Sequence, residues 1–316
     1  MNRTPYQLGI KPLITRRGFL RVLGIAALSG FSLGGYAFGI EPHRLRVQRY
    51  SVVPPRWPHG LSLRIAALAD IHACEPWMTV DRIRGIVDAT NSLGADIIVL
   101  LGDYGAGHHW VTSWVESKDW SEALSGLRAP LGVHAVLGNH DWWEDRTAQK
   151  SGTGPVFGRV ALERVGIPVY ENDVAKLQKD GQTFWLAGLG DQLALLPGRR
   201  WGRKRWQGVD DLPQTLSKVT DDAPVILLAH EPDIFPNVPD RVALTLCGHT
   251  HGGQVRIFGH SPIVPSRYGN RYAYGHIVEA GQHSSDLPRH MIVSGGLGAR
   301  LHPYDWEWRP KSFRLI

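Results

Sequence analysis

Short apolar runs recur along the chain, and five of them stop abruptly at side chains of the kind that bind metals. Ile65 to Ala69 runs into Asp70-Ile71-His72, Ile97 to Leu101 into Gly102-Asp103, and Val133 to Leu137 into Gly138-Asn139-His140-Asp141. Val225 to Ala229 runs into His230, and Val242 to Leu246 passes through Cys247 into Gly248-His249-Thr250-His251. Short β-branched and aliphatic runs read as buried strands, and ligands in open α/β sheets sit just beyond the carboxyl ends of such strands. The pattern therefore predicts five strand ends that deliver polar side chains to one rim.

Between these strands the period changes. Leu45 to Val53 and Leu61 to Ala69 read as the first strands, separated by Pro54-Pro55 and Trp57-Pro58. Thr79 can cap a helix through Leu93, with Ile83, Ile86, Val87 and Thr90 near a 3.6-residue period and Gly94 ending it. Further helices are expected around Trp120 to Leu127, Val156 to Val165 and Leu212 to Val219, and a strand at 168–170. Lys179-Asp180-Gly181-Gln182 reads as a hairpin turn that places Phe184 to Leu189 on a strand. A strand at 254–258 and β-runs at Tyr274 to Glu279, His290 to Ser294 and Ser312 to Ile316 complete the pattern. Helices between early strands and strands at the end predict an α/β (α+β) fold, a two-sheet αββα sandwich with the helices outside.

The amino end breaks the pattern and changes the reading of charge. Thr15-Arg16-Arg17-Gly18-Phe19-Leu20-Arg21 matches a twin-arginine export motif, and Val22 to Ile40 follows without a charge. Residues 1–39 thus read as a twin-arginine signal or a membrane anchor, with Ala37-Phe38-Gly39 the best cleavage site, and residues 40–316 as a single domain. Either way the basic end stays cytoplasmic and the domain faces outward, periplasmic or held on the outer face of the cytoplasmic membrane. The net charge of +6 would suggest nucleic acid, yet Arg3, Lys11, Arg16, Arg17 and Arg21 all lie in this leader, which carries no acid. The remainder is nearly neutral, which argues against a nucleic-acid partner. Two cysteines, Cys74 and Cys247, exclude a disulfide framework and read as small packing residues.

Among 15 histidines in 316 residues, about 0.7 His-x-His pairs arise by chance, so His249-Thr250-His251 alone would mean little. What matters is that Asp-x-His, Gly-Asp, Gly-Asn-His-Asp, a strand-closing His and Gly-His-x-His occur in that order, each after its own strand. This ordered set resembles the calcineurin-like metallophosphoesterase superfamily over roughly Ser62 to Phe313. Leu101-Gly102-Asp103-Tyr104, Ala229-His230-Glu231-Pro232-Asp233 and Cys247-Gly248-His249-Thr250-His251-Gly252-Gly253-Gln254 look like its bacterial exported branch. Part of that branch and its relatives act on phospholipid-like or UDP-diacylglucosamine pyrophosphate substrates.

The resemblance implies two divalent transition-metal ions. Asp70, His72, Asp103 and His251 would hold the first, and Asp103, Asn139, His230 and His249 the second, with Asp103 as the bridge. Carboxylate, amide and imidazole donors without thiolate suit Mn, Fe, Zn or Co. Two cations about 3.5–4 Å apart counter the repulsion between an anionic phosphorus centre and its nucleophile. His140 adjoins a ligand and is the expected proton donor to the leaving oxygen. Asp141 either orients it or caps the following turn. His108 and His109 lie in a loop past Asp103, as exposed residues or as a substrate gate. Trp142 and Trp143 either wall a pocket or pack in the core.

Arg199-Arg200-Trp201-Gly202-Arg203-Lys204-Arg205-Trp206 is a basic-aromatic cluster, read as a solvated loop, a patch on anionic lipid headgroups or a grip on phosphate. The expected activity is exported, dinuclear metal-dependent hydrolysis of a phosphodiester or pyrophosphate in a phospholipid or nucleotide-linked lipid. The expected partners are that small-molecule or lipid phosphoester, the twin-arginine translocation machinery and a membrane surface. The alternatives are a nuclease or cyclic-nucleotide phosphodiesterase of the same superfamily and, against the full ligand set, a metal-braced envelope scaffold.

Overall fold

The five runs that stop at metal-type side chains are all strands in the computed structural model, which describes residues 15–39, 44–105, 111–253, 256, 258–281 and 287–298. In chain order the elements begin with α1 (Arg16–Gly39), β1 (Ile65–Leu68), β2 (Cys74–Glu75), α2 (Val80–Asn91), β3 (Ile97–Leu101) and β4 (Ser113–Trp114). They continue with α3 (Ser117–Leu124), β5 (Val133–Val136), α4 (Asn139–Trp143), α5 (Arg146–Ser151), α6 (Phe157–Arg164), β6 (Asp173–Lys179) and β7 (Gln182–Gly188). The last are α7 (Leu212–Ser217), β8 (Val225–Leu228), β9 (Val242–Cys247), β10 (Gly275–Glu279) and β11 (Arg289–Val293).

Two sheets result. The first is parallel, in the order β1-β3-β5. The second runs β10-β11-β9-β8-β7-β6, parallel across β11, β9, β8 and β7 with an antiparallel strand at each edge. The pleat sorts each run between two faces. Ile97, Val99 and Leu101 face the second sheet and meet Leu186, Ile226, Leu228 and Leu246. Ile98 and Leu100 face the other way, onto Ile83, Ile86, Val87, Trp120 and Leu124 of α2 and α3. On the far side of the second sheet, Ala187, Val225 and Leu227 pack with Leu212 of α7 and with Phe235 of a 3₁₀ turn. The αββα layering is thus present, and each fully buried aliphatic side chain contributes roughly 1.5–3 kcal/mol.

Helix α2 begins where the sequence indicates: Thr79 Oγ1 accepts from the Arg82 N–H at 3.2 Å, and Ile83, Ile86, Val87 and Thr90 are buried. The hairpin joins β6 and β7 through Asp180-Gly181. Both cysteines are buried free thiols.

Two expected strands differ. Among the described residues Leu45 to Val53 forms no ladder beyond a lone bridge at Val47, and Tyr50 and Val52 pack their side chains against the core between the sheets. The segment at 168–170 makes only a parallel bridge from Val169 to Ala135 at the edge of the first sheet. The strand expected at 254–258 falls mainly on residues 254, 255 and 257, and that at 312–316 wholly, outside the described residues. Among the described residues no helix is long and apolar enough to cross a membrane. Among the described residues of helix α1 no side chain joins the core clusters, and Phe19, Leu20, Val22, Leu23, Ile25, Leu28 and Phe31 are exposed.

Candidate metal centre

The parallel strands of both sheets end at a common rim. β1, β3 and β5 deliver Asp70, His72, Asp103, Asn139 and His140, and β8 and β9 deliver His230, His249 and His251. All of these side chains are buried. Three groups of donor atoms lie mutually within 4.8 Å: Asp70 with His72 and His251, Asp70 with Asp103 and His230, and His230 with Glu231 and His249. Every one of the seven expected ligands except Asn139 falls in these groups, and Asn139 Oδ1 lies 2.9 Å from His249 Nδ1.

Asp103 is central. Its Oδ2 lies 3.1 Å from His230 Nε2 and 3.6 Å from His72 Nε2, while its Oδ1 accepts the His140 backbone N–H at 2.8 Å. His230 Nδ1 is held by the Leu101 carbonyl at 2.6 Å, which aims Nε2 at the carboxylates. His72 Nε2 and His251 Nε2 approach to 3.0 Å, and His251 Nε2 is 3.5 Å from Asp70 Oδ1.

The backbone is bent to achieve this. Asp70, His72, Asp103, His249 and His251 all have positive φ, between 49° and 67°, a region that non-glycine residues enter only at a cost. The kinks are fixed by backbone bonds between loops, from Asp70 N to Gly102 O at 3.0 Å, His72 N to Asp103 O at 3.0 Å and Ala73 N to Tyr104 O at 2.7 Å. Gly102, at φ +92°, and Gly138 let the loops after β3 and β5 touch. A Cβ on Gly102 would meet Gly138 N at 2.5 Å, and one on Gly138 would overlap the Asp103 carboxylate and the His230 ring.

Protein charges alone make this an electrostatically tense cluster. Burial works to raise the Asp103 carboxyl, but His230, His140 and His72 outweigh it and hold the group well below its ordinary value. Burial likewise works to lower His230, yet Asp103, Asp70 and Glu231 raise it to about 10. Asp103 Oδ2 and His230 Nε2 are close without a hydrogen-bonding orientation, and Glu231 Oε1 is also buried without one. Closely packed carboxylate and imidazole donors with unsatisfied buried atoms fit divalent cations better than they fit one another.

His140 is nearly buried; its Nδ1 is 3.4 Å from Glu144 Oε1 and its ring stands edge-on to His72 at 5.0 Å. Asp141 is occupied by backbone. It accepts N–H groups from Gly138 at 2.8 Å, Asp103 at 2.9 Å and Tyr104 at 3.0 Å, which pins the two loops together. Trp142 is buried in the core, whereas Trp143 reaches a cavity beside the cluster. His108 and His109 lie outside the described residues.

The basic-aromatic cluster divides. The Arg203 guanidinium turns inward to the Gln149 carbonyl and Trp206 lies against Trp143, while Arg199, Arg200, Lys204 and Arg205 are exposed. Sequence reasoning missed Glu144, Glu231 and Trp206 as neighbours of the site. The i,i+4 spacing of His140 and Glu144 on a helix was the available signal for the first.

The calcineurin-like phosphoesterase family model matches residues 63–253. An uncharacterized metallophosphoesterase of Bacillus subtilis, YkuE, is 28% identical over 94% of this chain and 96% of its own. The phosphodiesterase YaeI of Escherichia coli is 28% identical over 96% of this chain and 99% of its own. Among solved structures, a dimetal phosphatase from Danio rerio aligns with 76% of this chain and 93% of its own at 15% identity and a TM-score of 0.34, too loose an overlap to bear on the reaction.

Proposed function

Since this chain belongs to the calcineurin-like phosphoesterase family and is a metal-dependent phosphoester hydrolase with a dinuclear divalent centre, we propose that it cleaves a phosphodiester or pyrophosphate bond. The substrate is a phospholipid or a nucleotide-linked lipid. Asp70, His72, Asp103 and His251 would hold one ion, and Asp103, Asn139, His230 and His249 the other. The observation that carries this reading is the convergence of buried donors from four strand ends in two sheets on groups no wider than 4.8 Å, with Asn139 of a fifth strand end 2.9 Å from His249. Mn, Fe, Zn and Co all suit that donor set.

Bound there, two divalent cations supply positive charge to the phosphoryl oxygens and to the entering and departing oxygens. The remaining work falls to the chain. His140 holds a proton for the departing oxygen at Nε2, since Nδ1 faces Glu144. Asp141 keeps the Asp103 and His140 loops in register through its three backbone bonds. Burial of the donors excludes bulk water and strengthens their field.

We place the enzyme outside the cytoplasm, exported through the twin-arginine pathway. Arg16-Arg17 opening a helix whose large apolar side chains from Phe19 to Phe31 are exposed supports that address, and the exposed Arg199, Arg200, Lys204 and Arg205 suit an anionic membrane surface. The test is turnover of bis-p-nitrophenyl phosphate, lipid vesicles, UDP-diacylglucosamine and single-stranded DNA, with Asp103→Asn as the blank. Chelation and Asp103→Asn should each abolish hydrolysis. Chelator-resistant turnover refutes the mechanism, and turnover of single-stranded DNA alone replaces the lipid reading with a nuclease.

A further inference from the structure

A cavity of about 490 Å³ opens directly from the donor cluster, between His249 and Glu231 on one side and the indoles of Trp143 and Trp206 on the other. The Trp143 ring lies 4.9 Å from His140 and 4.9 Å from Trp206, so three rings in series lead from the cluster to the lip of the cavity. Trp143 is fixed, its indole N–H donating to the Leu193 carbonyl at 2.7 Å. Trp206 is held as well, because its neighbour Gln207 exchanges both backbone bonds with Leu195 and Arg203 anchors the same loop on the Gln149 carbonyl. Yet Trp206 is 45% exposed. Across the cavity, Arg267 is steered by the Asp233 carboxylate, which accepts its backbone N–H at 2.9 Å and its Nε–H at 3.2 Å.

Resting on the phosphoesterase reading above, we propose that this cavity is the subsite for one ester group of the substrate, and that the group is a nucleoside. Three features choose a planar, polar-edged ring over an acyl chain. The volume is that of a small-molecule pocket and is continuous with the cluster, so a group seated there stays attached to a phosphoryl centre near His249. A partly exposed, rigidly held indole backed by a second indole offers a stacking face, the usual platform for a base. The remaining wall carries Arg267, Asp233 and Glu231, charged groups that an acyl chain would strip of water and that a base or ribose edge can hydrogen-bond. Trp206 is therefore a specificity-determining residue, and the loop that carries it serves substrate choice.

The test uses the full chain loaded with Mn²⁺ and two diesters with the same leaving group, p-nitrophenyl thymidine 5′-phosphate and ethyl p-nitrophenyl phosphate. Calorimetric binding of thymidine 5′-monophosphate is measured in parallel. The expected result is a preference of at least about tenfold in kcat/KM for the nucleoside ester, carried by KM. Trp206→Ala should remove that preference and weaken thymidine 5′-monophosphate about tenfold, while Trp206→Phe, which keeps a ring face, should retain most of both. No preference in the parent enzyme, or a preference and binding that survive Trp206→Ala, overturns the subsite. If neither diester is hydrolysed but nucleotide binding still depends on Trp206, the subsite stands and the hydrolase reading fails.

Discussion

Replacing Asp141 by Asn separates scaffolding from chemistry at a residue that adjoins the expected proton donor. One carboxylate oxygen of Asp141 accepts the N–H groups of Gly138 and Asp103, and the other accepts that of Tyr104. An asparagine in the same place keeps one oxygen, which in the better orientation retains the first pair and turns an NH₂ group toward the Tyr104 N–H. One buried donor then loses its acceptor, at a cost of about 1–3 kcal/mol. The charge itself adds little to this. With protein charges alone, burial and then the Asp103 carboxylate push the Asp141 carboxyl up to about 7 and so work against its charge. At roughly 2–4 °C per kcal/mol for a domain of this size, Tm should fall by about 2–12 °C. Turnover per bound metal should change far less. Thermal and urea melts with metal analysis read the first quantity, and steady-state kinetics on metal-normalised enzyme the second. A Tm within about 1 °C of the parent together with a hundredfold loss of kcat would refute the scaffolding argument. Asp141→Ala, which leaves all three N–H groups without this acceptor, should cost about 3–9 kcal/mol, comparable to the whole stability of a typical domain.

Two further outcomes follow from the geometry of the cluster. His140→Ala should keep its full metal content and lose about 10²–10⁴ in kcat; a variant with normal kcat removes His140 from the reaction. In the apo protein His230 keeps its proton up to about 10, while coordination needs the neutral ring, so metal binding must release that proton. Apparent affinity should rise with pH by about one log unit per unit from this group, between pH 6 and 8. Calorimetry in buffers of different ionisation enthalpy measures the release directly, and a value of zero would show that His230 does not ligate.

The strands were legible because burial on both faces demands uninterrupted apolar runs, and the rim because each run ends in a donor. Leu45 to Val53 misled for a related reason. Its β-branched composition suits a strand, yet among the described residues only Val47 makes a bridge, while Tyr50 and Val52 turn their side chains to the core between the sheets and Leu45, Val47 and Val53 stay exposed. The left-handed kinks at Asp70, His72, Asp103, His249 and His251 leave no sequence signal, since Asp and His are ordinary residues elsewhere; only Gly102 hinted at crowding. Trp206 was visible as part of a basic cluster, and its separation from the exposed cations depends on which way the Arg203 side chain turns. Loop side-chain direction of that kind is set by tertiary contacts that no periodicity encodes.

The proposed ligands are split between the layers, with Asp70, His72, Asp103 and Asn139 following strands of one sheet and His230, His249 and His251 following strands of the other. A cation pair held this way acts as a clasp between layers already joined by core packing and by hydrogen bonds such as His230 to the Leu101 carbonyl and the His249 N–H to Asp70, and any ion that binds only the assembled form resists unfolding increasingly as its free concentration rises. Scarcity of the ion would then thin the population of intact molecules through proteolysis as well as silencing those that survive. Supply of the metal would set how much enzyme there is, in addition to how fast each copy works.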